Sequence, residues 1–127
     1  MANIQLQRGL KQDVDVTYTL AGQSSAEDFT SGSHDAELVI RRSLTGSIVD
    51  TLRHGTSNPA RSDADSRITF LNPSSGPNIR LHWTTAQATA LPNEKITVIG
   101  DLKILNSSAE VIHHIRLTFD ILPEVIE

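Results

Sequence analysis

The sequence predicts an all-β domain: an antiparallel β-sandwich of seven or eight strands, with one short helix near residues 84–91. Three observations carry that prediction. Apolar residues recur at every second position in several stretches, which places successive side chains on opposite faces of a sheet. Turn chemistry interrupts those stretches at short intervals, the spacing of a sandwich. Serine and threonine number 25 of the 127 residues, which suits strand exteriors and loops better than helices.

The clearest strand is Asp13-Val14-Asp15-Val16-Thr17-Tyr18-Thr19-Leu20, with Val14, Val16, Tyr18 and Leu20 on one face. Ile115, Leu117, Phe119 and Ile121 alternate with Arg116, Thr118 and Asp120 in the same way. Each has one apolar and one polar face, the habit of antiparallel sheets. Between them lie weaker strands at 36–42 (Leu38, Val39, Ile40), 47–53 (Ile48, Val49, Leu52), 67–71 (Ile68, Phe70) and 78–83 (Ile79, Leu81, Trp83), and a long one at 96–105. Residues 106–109, Asn-Ser-Ser-Ala, form a hairpin turn between two long strands. Residues 84–91 break the alternation: they are alanine-rich, open on threonines able to cap a helix, and stop before Pro92. Ala86, Ala90 or Leu91 is expected to face inward. Without an internal repeat or linker, residues 1–127 are expected to form one domain.

Composition removes several function classes. With no cysteine there is no disulfide scaffold, thiolate metal site or cysteine nucleophile. A net charge of −4 without a basic cluster fits neither nucleic acid nor a polyanionic surface. Apolar runs fall far short of the ~20 residues that span a bilayer, so no membrane partner is expected. Residues 1–8 lack the charged-then-apolar pattern of a secretory signal, so a soluble, intracellularly made domain is expected.

Candidate chemistry is sparse. His113 and His114 are adjacent on a strand, so they point to opposite faces and do not share a metal; His113 is expected inward and His114 outward. Asp13 and Asp15 share a strand face, and Asp63 and Asp65 share a loop without the further ligands of a calcium loop. All four read as solvated charges. His34-Asp35 and His54 offer an imidazole near a carboxylate, but no nucleophile elbow or phosphate-binding glycine loop accompanies them. Arg41-Arg42 supplies one cation to each face, suited to a surface ion pair. The Asn106-Ser107-Ser108 sequon is read as hairpin turn. The expectation is therefore no catalytic residue, no cofactor and no metal.

The order of these elements resembles a known family. An opening Leu10-Lys11-Gln12-Asp13-Val14-Asp15-Val16 is followed by a polar loop, Ala36-Glu37-Leu38-Val39-Ile40-Arg41-Arg42 and a Val49-Asp50-Thr51-Leu52 strand. Arg67-Ile68-Thr69-Phe70-Leu71 and Ile79-Arg80-Leu81-His82-Trp83 come next. The alanine-rich turn ends in Ala90-Leu91-Pro92. Gly100-Asp101-Leu102-Lys103-Ile104 then leads to a hairpin and a closing strand running into Pro123-Glu124-Val125. Over roughly residues 5–126 this resembles the small Ig-like β-sandwich structural proteins of tailed bacteriophages, and is similar to the N-terminal domains of baseplate upper proteins. The resemblance implies an Ig-like sandwich, no enzymatic activity and a place in the virion. It implies docking on other phage structural proteins, a tail hub or a capsid protein, as tail or baseplate adaptor or as capsid cement. A homo-oligomer, possibly a trimer, is expected.

Strand edges template pairing with other chains. Ile4, Leu6, Leu122, Val125 and Ile126, spare apolar residues near the two ends of the chain, are therefore expected to make assembly contacts, or else to complete the domain's own edge strands. Two other classes stay open: a carbohydrate-binding module facing the host, and a hydrolase using His34 or His54. The first needs exposed aromatics, and Trp83 alternates with core residues instead.

Overall fold

A computed structural model describes residues 3–19, 28–30, 34–54, 66–72, 76–106, 108 and 110–124. Among them are eight strands and one helix: β1 (Ile4–Gln7), β2 (Gln12–Val16), β3 (Asp35–Arg41), β4 (Ile48–His54), β5 (Ser66–Phe70), β6 (Ile79–Trp83), α1 (Thr85–Thr89), β7 (Ile96–Leu105) and β8 (Val111–Leu122). All eight strands join one mixed, barrel-like sheet in the order β1-β8-β7-β3-β4-β5-β6-β2.

Two pairings correct the expected antiparallel sheet. β1 runs parallel to β8, from Ile4 opposite Phe119 to Gln7 opposite Leu122, and β4 runs parallel to β5. The first follows from the turn at residues 8–11. Gly9 sits at φ +82°, a conformation that glycine adopts without the strain a side chain would bring, and there the chain turns against β8's exit. β2 then joins β6 instead of folding back on β1. Where β1 and β2 meet, the Gln12 side chain replaces a strand partner: its Oε1 accepts from the Gln7 N–H at 3.0 Å, and its Nε2 donates to the Gln7 carbonyl at 2.8 Å.

The first long strand ends sooner than its alternation suggests. β2 stops at Val16 because Asn78, fully buried, takes over the ladder. The Asn78 N–H donates to the Val16 carbonyl, its Oδ1 accepts from the Tyr18 N–H, and its Nδ2 donates to the Tyr18 carbonyl. Leu20 lies outside the described residues. α1 is set by a capping box: Thr84 Oγ1 accepts from the Gln87 N–H, and Gln87 Oε1 accepts from the Thr84 N–H. That phase turns Ala88 and Leu91 inward, so of the three residues expected as candidates Leu91 faces in, and Ala86 and Ala90 are exposed.

The core takes alternate residues from every strand except β2, whose Val14 and Val16 pack on it half-buried. Burying one such aliphatic or aromatic side chain stabilises by about 1.5–3 kcal/mol. Trp83 of β6 meets Phe119 of β8 edge-on across the interior, with centroids 6.3 Å apart. Gly100 makes room for that ring, since a Cβ there would come within 2.7 Å of Phe119 and 3.0 Å of Leu38.

Candidate functional site

Three places gather polar chemistry, and each is built by strand register. The first lies inside. Asp50 shares the inward phase of Leu52 on β4 and forms a two-pronged pair with Arg67 of β5, at 3.0 and 2.7 Å. Arg67 also donates to the carbonyls of Thr51 and His82, and its guanidinium lies 5.6 Å from the Trp83 ring. Trp83 Nε1 donates to Asp50 Oδ2 at 3.0 Å. The cluster fastens β4, β5 and β6 to one another, and its buried polar groups bond mainly among themselves. Its sequence signal is a carboxylate two residues before Leu52, on the same phase of the strand as that core residue.

The second is the end of the barrel where β3 begins and the β7–β8 hairpin turns. Phe29, almost fully buried, packs against Tyr18, His34, Phe70 and His113 with centroid separations of 5.5–6.3 Å. His54 lies 4.7 Å from the Phe70 ring and 3.7 Å from Asp35. The structure thus joins His54 with Asp35, a meeting that their separation in sequence does not announce, and sets His34 beside them. His34 Nδ1 is buried with no hydrogen-bond partner among the described residues. Burial pushes the His54 imidazole below its ordinary range, against the attraction of Asp35. His113 faces inward, its Nδ1 3.4 Å from the Tyr18 hydroxyl, and His114 is exposed beside Asp101 at 3.3 Å. Among the described residues no group of three or more potential metal ligands converges.

The third is the sheet exterior, whose two sides differ. On the β2–β6 side, Asp13 bonds His82 and Asp15 holds Arg80 through two prongs at 2.7 and 3.1 Å. The Arg80 hydrogen bond pulls the Asp15 carboxyl below its ordinary range. The other side, across β4, β3, β7 and β8, is laid out in cross-strand rows. Arg53, Glu37, Lys103 and His114 form one; Thr51, Val39, Asp101 and Arg116 form the next; Arg41, Ile99 and Thr118 form a third. Around Val39 the surface dips into a recess of about 160 Å³, lined by Glu37, Arg41, Asp101, Lys103 and His114. Arg42 points the other way from Arg41 and pairs with Glu94 at 2.8 Å.

Leu6 is fully buried in the chain's own core, and Ile4 and Leu122 are half-buried. Val125, Ile126, Asp63 and Asp65 lie outside the described residues. Asn106 of the sequon holds the hairpin: its Oδ1 accepts from the Ser108 and Glu110 N–H groups, both at 3.0 Å. All five aromatic residues are buried or half-buried, with Trp83 fully buried.

No protein-family model matches the chain, and no curated protein matches it.

Proposed function

We propose that the chain is a non-enzymatic structural protein of a tailed-phage virion, which docks on a symmetric assembly as a tail or baseplate adaptor or as a capsid cement. In this reading the barrel is an Ig-like sandwich with β1-β8-β7-β3-β4 as one leaf and β5-β6-β2 as the other. Support for the two leaves comes from the β4–β5 seam, where the register covers Arg53 opposite Ser66 and His54 opposite Ile68 and shifts between them. Support for the role comes from the resemblance of the sequence's order of elements to that of phage sandwich proteins.

The observation that carries the reading is the exterior of β4, β3, β7 and β8. There the half-exposed Val39, Ile99 and Leu105 and the 41% exposed Ile112 are interleaved with charged side chains. That mixture of aliphatic floor and polar rim belongs to protein–protein contacts. A glycan-binding reading has less to stand on, because the aromatic rings that would form a platform are turned inward. The test is quantitative mass spectrometry of purified particles of the phage encoding the chain. A fixed copy number fitting a tail ring supports an adaptor, and hundreds of copies support a cement. Absence from the particle overturns the reading.

A further inference from the structure

We propose that the end of the barrel around Phe29 is an acid-sensitive latch, in which protonation of His34 and His54 loosens the packing of Phe29 and Tyr18 while the core around Trp83 stays closed. The inference goes beyond the assembly reading and does not depend on it.

Three of the five histidines border one buried aromatic cluster. Phe29, 2% exposed, has the His34 and His113 rings edge-on at 5.5 and 5.6 Å and the Phe70 ring at 5.5 Å. His54 lies against Phe70 at 4.7 Å, and His34 meets the same ring edge-on at 6.4 Å. The contributors come from five parts of the chain. Tyr18 follows β2, Phe29 and His34 precede β3, His54 ends β4, Phe70 ends β5, and His113 lies near the start of β8. The rings thus tie together strand ends that share little backbone ladder. The β4–β5 register holds only Arg53 opposite Ser66 and His54 opposite Ile68, and β2 leaves β6 at Val16. A region held mainly by side-chain packing opens before the body of the sheet does.

Protonation of two of these imidazoles pushes in the same direction. His34 Nδ1 is buried with no hydrogen-bond partner among the described residues. An imidazolium carries N–H on both nitrogens, and here the Nδ1 N–H would face rings in place of an acceptor. A buried charge without a partner favours any state in which water reaches it. At His54 burial opposes the charged form and outweighs the Asp35 carboxylate 3.7 Å away. Asp35 already accepts from the Ala36 N–H. The neighbouring charges are engaged elsewhere: Asp28 is exposed and bonds Thr30, Arg53 of β4 pairs with Glu37 of β3, and Arg67 of β5 with Asp50. On the β8 side His114 stands beside Asp101, and Glu110 accepts from Asn106. Lys103 of β7 lies in the exterior row with Glu37 and His114. The Tyr18 hydroxyl can donate to His113 Nδ1 or accept from it, so protonation of His113 leaves that contact in place. The latch therefore falls to His34 and His54.

The chain has one tyrosine, in the latch, and one tryptophan, in the core, so each region carries its own reporter. The test is fluorine NMR of the full chain carrying fluorotyrosine and fluorotryptophan, titrated from about pH 7.5 to about pH 4. The fluorotyrosine signal is expected to move toward its position in the urea-unfolded chain, with a midpoint below the ordinary histidine value of about 6.5. Over the same step the fluorotryptophan signal should keep its folded position. His34→Phe and His54→Gln together should lower that midpoint by at least about one pH unit. A fluorotyrosine signal that keeps its folded position down to about pH 5 overturns the inference, as do two signals that move together. A double variant that opens at the wild-type pH overturns it too. Where the double variant does not fold, His54→Gln alone decides: a lowered midpoint supports the latch, and an unchanged one overturns it. None of these readouts involves phage particles, so this inference and the assembly reading fail separately.

Discussion

Two aspartate–arginine pairs, each held through two prongs, sit in different surroundings. Asp50 and Arg67 lie between β4 and β5 with side chains 18% and 7% exposed, whereas Asp15 and Arg80 lie on the β2–β6 exterior at 35% and 43%. The inner pair has two backbone carbonyls and the Trp83 N–H joined to it; the outer pair faces water. A buried charge stripped of its partner has no water to turn to, and an exposed one does. The inner pair therefore holds the fold together, while the outer one contributes little to stability and its charges remain available to another molecule.

The largest expected effects fall on the inner pair and its neighbour. Asp50→Ala should cost about 3–5 kcal/mol, because Arg67 keeps its charge among buried neighbours with nothing to balance it. Trp83→Ala should cost a similar ~3–5 kcal/mol through the cavity left under Phe119 and the lost bond to Asp50. Urea denaturation followed by circular dichroism measures both. A loss under about 1 kcal/mol in either variant would mean that the cluster is not buried as described.

Gly100→Ala should cost about 1–3 kcal/mol, since the added methyl presses on Phe119 and Leu38. The unfolding midpoint in the same assay checks this, and an unchanged midpoint would show that the ring has room to move.

Smaller still is the contribution of His54. Its folded-state imidazole holds a proton less readily than in the unfolded chain, because burial outweighs Asp35. The resulting stability is complete above the ordinary histidine value of about 6.5 and declines as pH falls through it toward the lowered value. Denaturation midpoints at about pH 7.5 and about pH 5.5 should show this loss, and His54→Gln should reduce it. An equal loss in the variant assigns the slope to other groups.

Least affected should be Asp15→Asn. Its carboxyl is held below the ordinary range by Arg80, so what it contributes is present above that range and fades on acidification through it. At this exposure water screens the pair, and the melting temperature at physiological salt should match the wild type. A clear drop would erase the contrast between the two pairs.

Much of the fold is legible in the sequence because period-two alternation reports burial directly. β3, β4, β5, β6, β7 and β8 lie where Leu38, Leu52, Ile68, Leu81, Val98 and Phe119 mark an inward phase. What alternation does not report is which strand lies beside which. The parallel pairing of β1 with β8 depends on a single positive-φ glycine and on Gln12 reaching across to Gln7, and no periodicity encodes either. Which of Ala86, Ala90 and Leu91 faces inward is not readable from composition, because the phase of a five-residue helix is fixed by its cap at Thr84. At the candidate sites, register made the split of His113 from His114 and of Arg41 from Arg42 readable. The meeting of Asp50, Arg67 and Trp83 joins three strands distant in sequence and was not readable, although an aspartate on a core phase was the trace it left.

Electron microscopy of purified phage particles, with the chain labelled by a bound antibody fragment, tests the central claim most directly. Label at repeated, symmetry-related positions on tail, baseplate or capsid is the predicted result. Particles that carry no label, from a lysate in which the same fragment detects the folded chain, would contradict it.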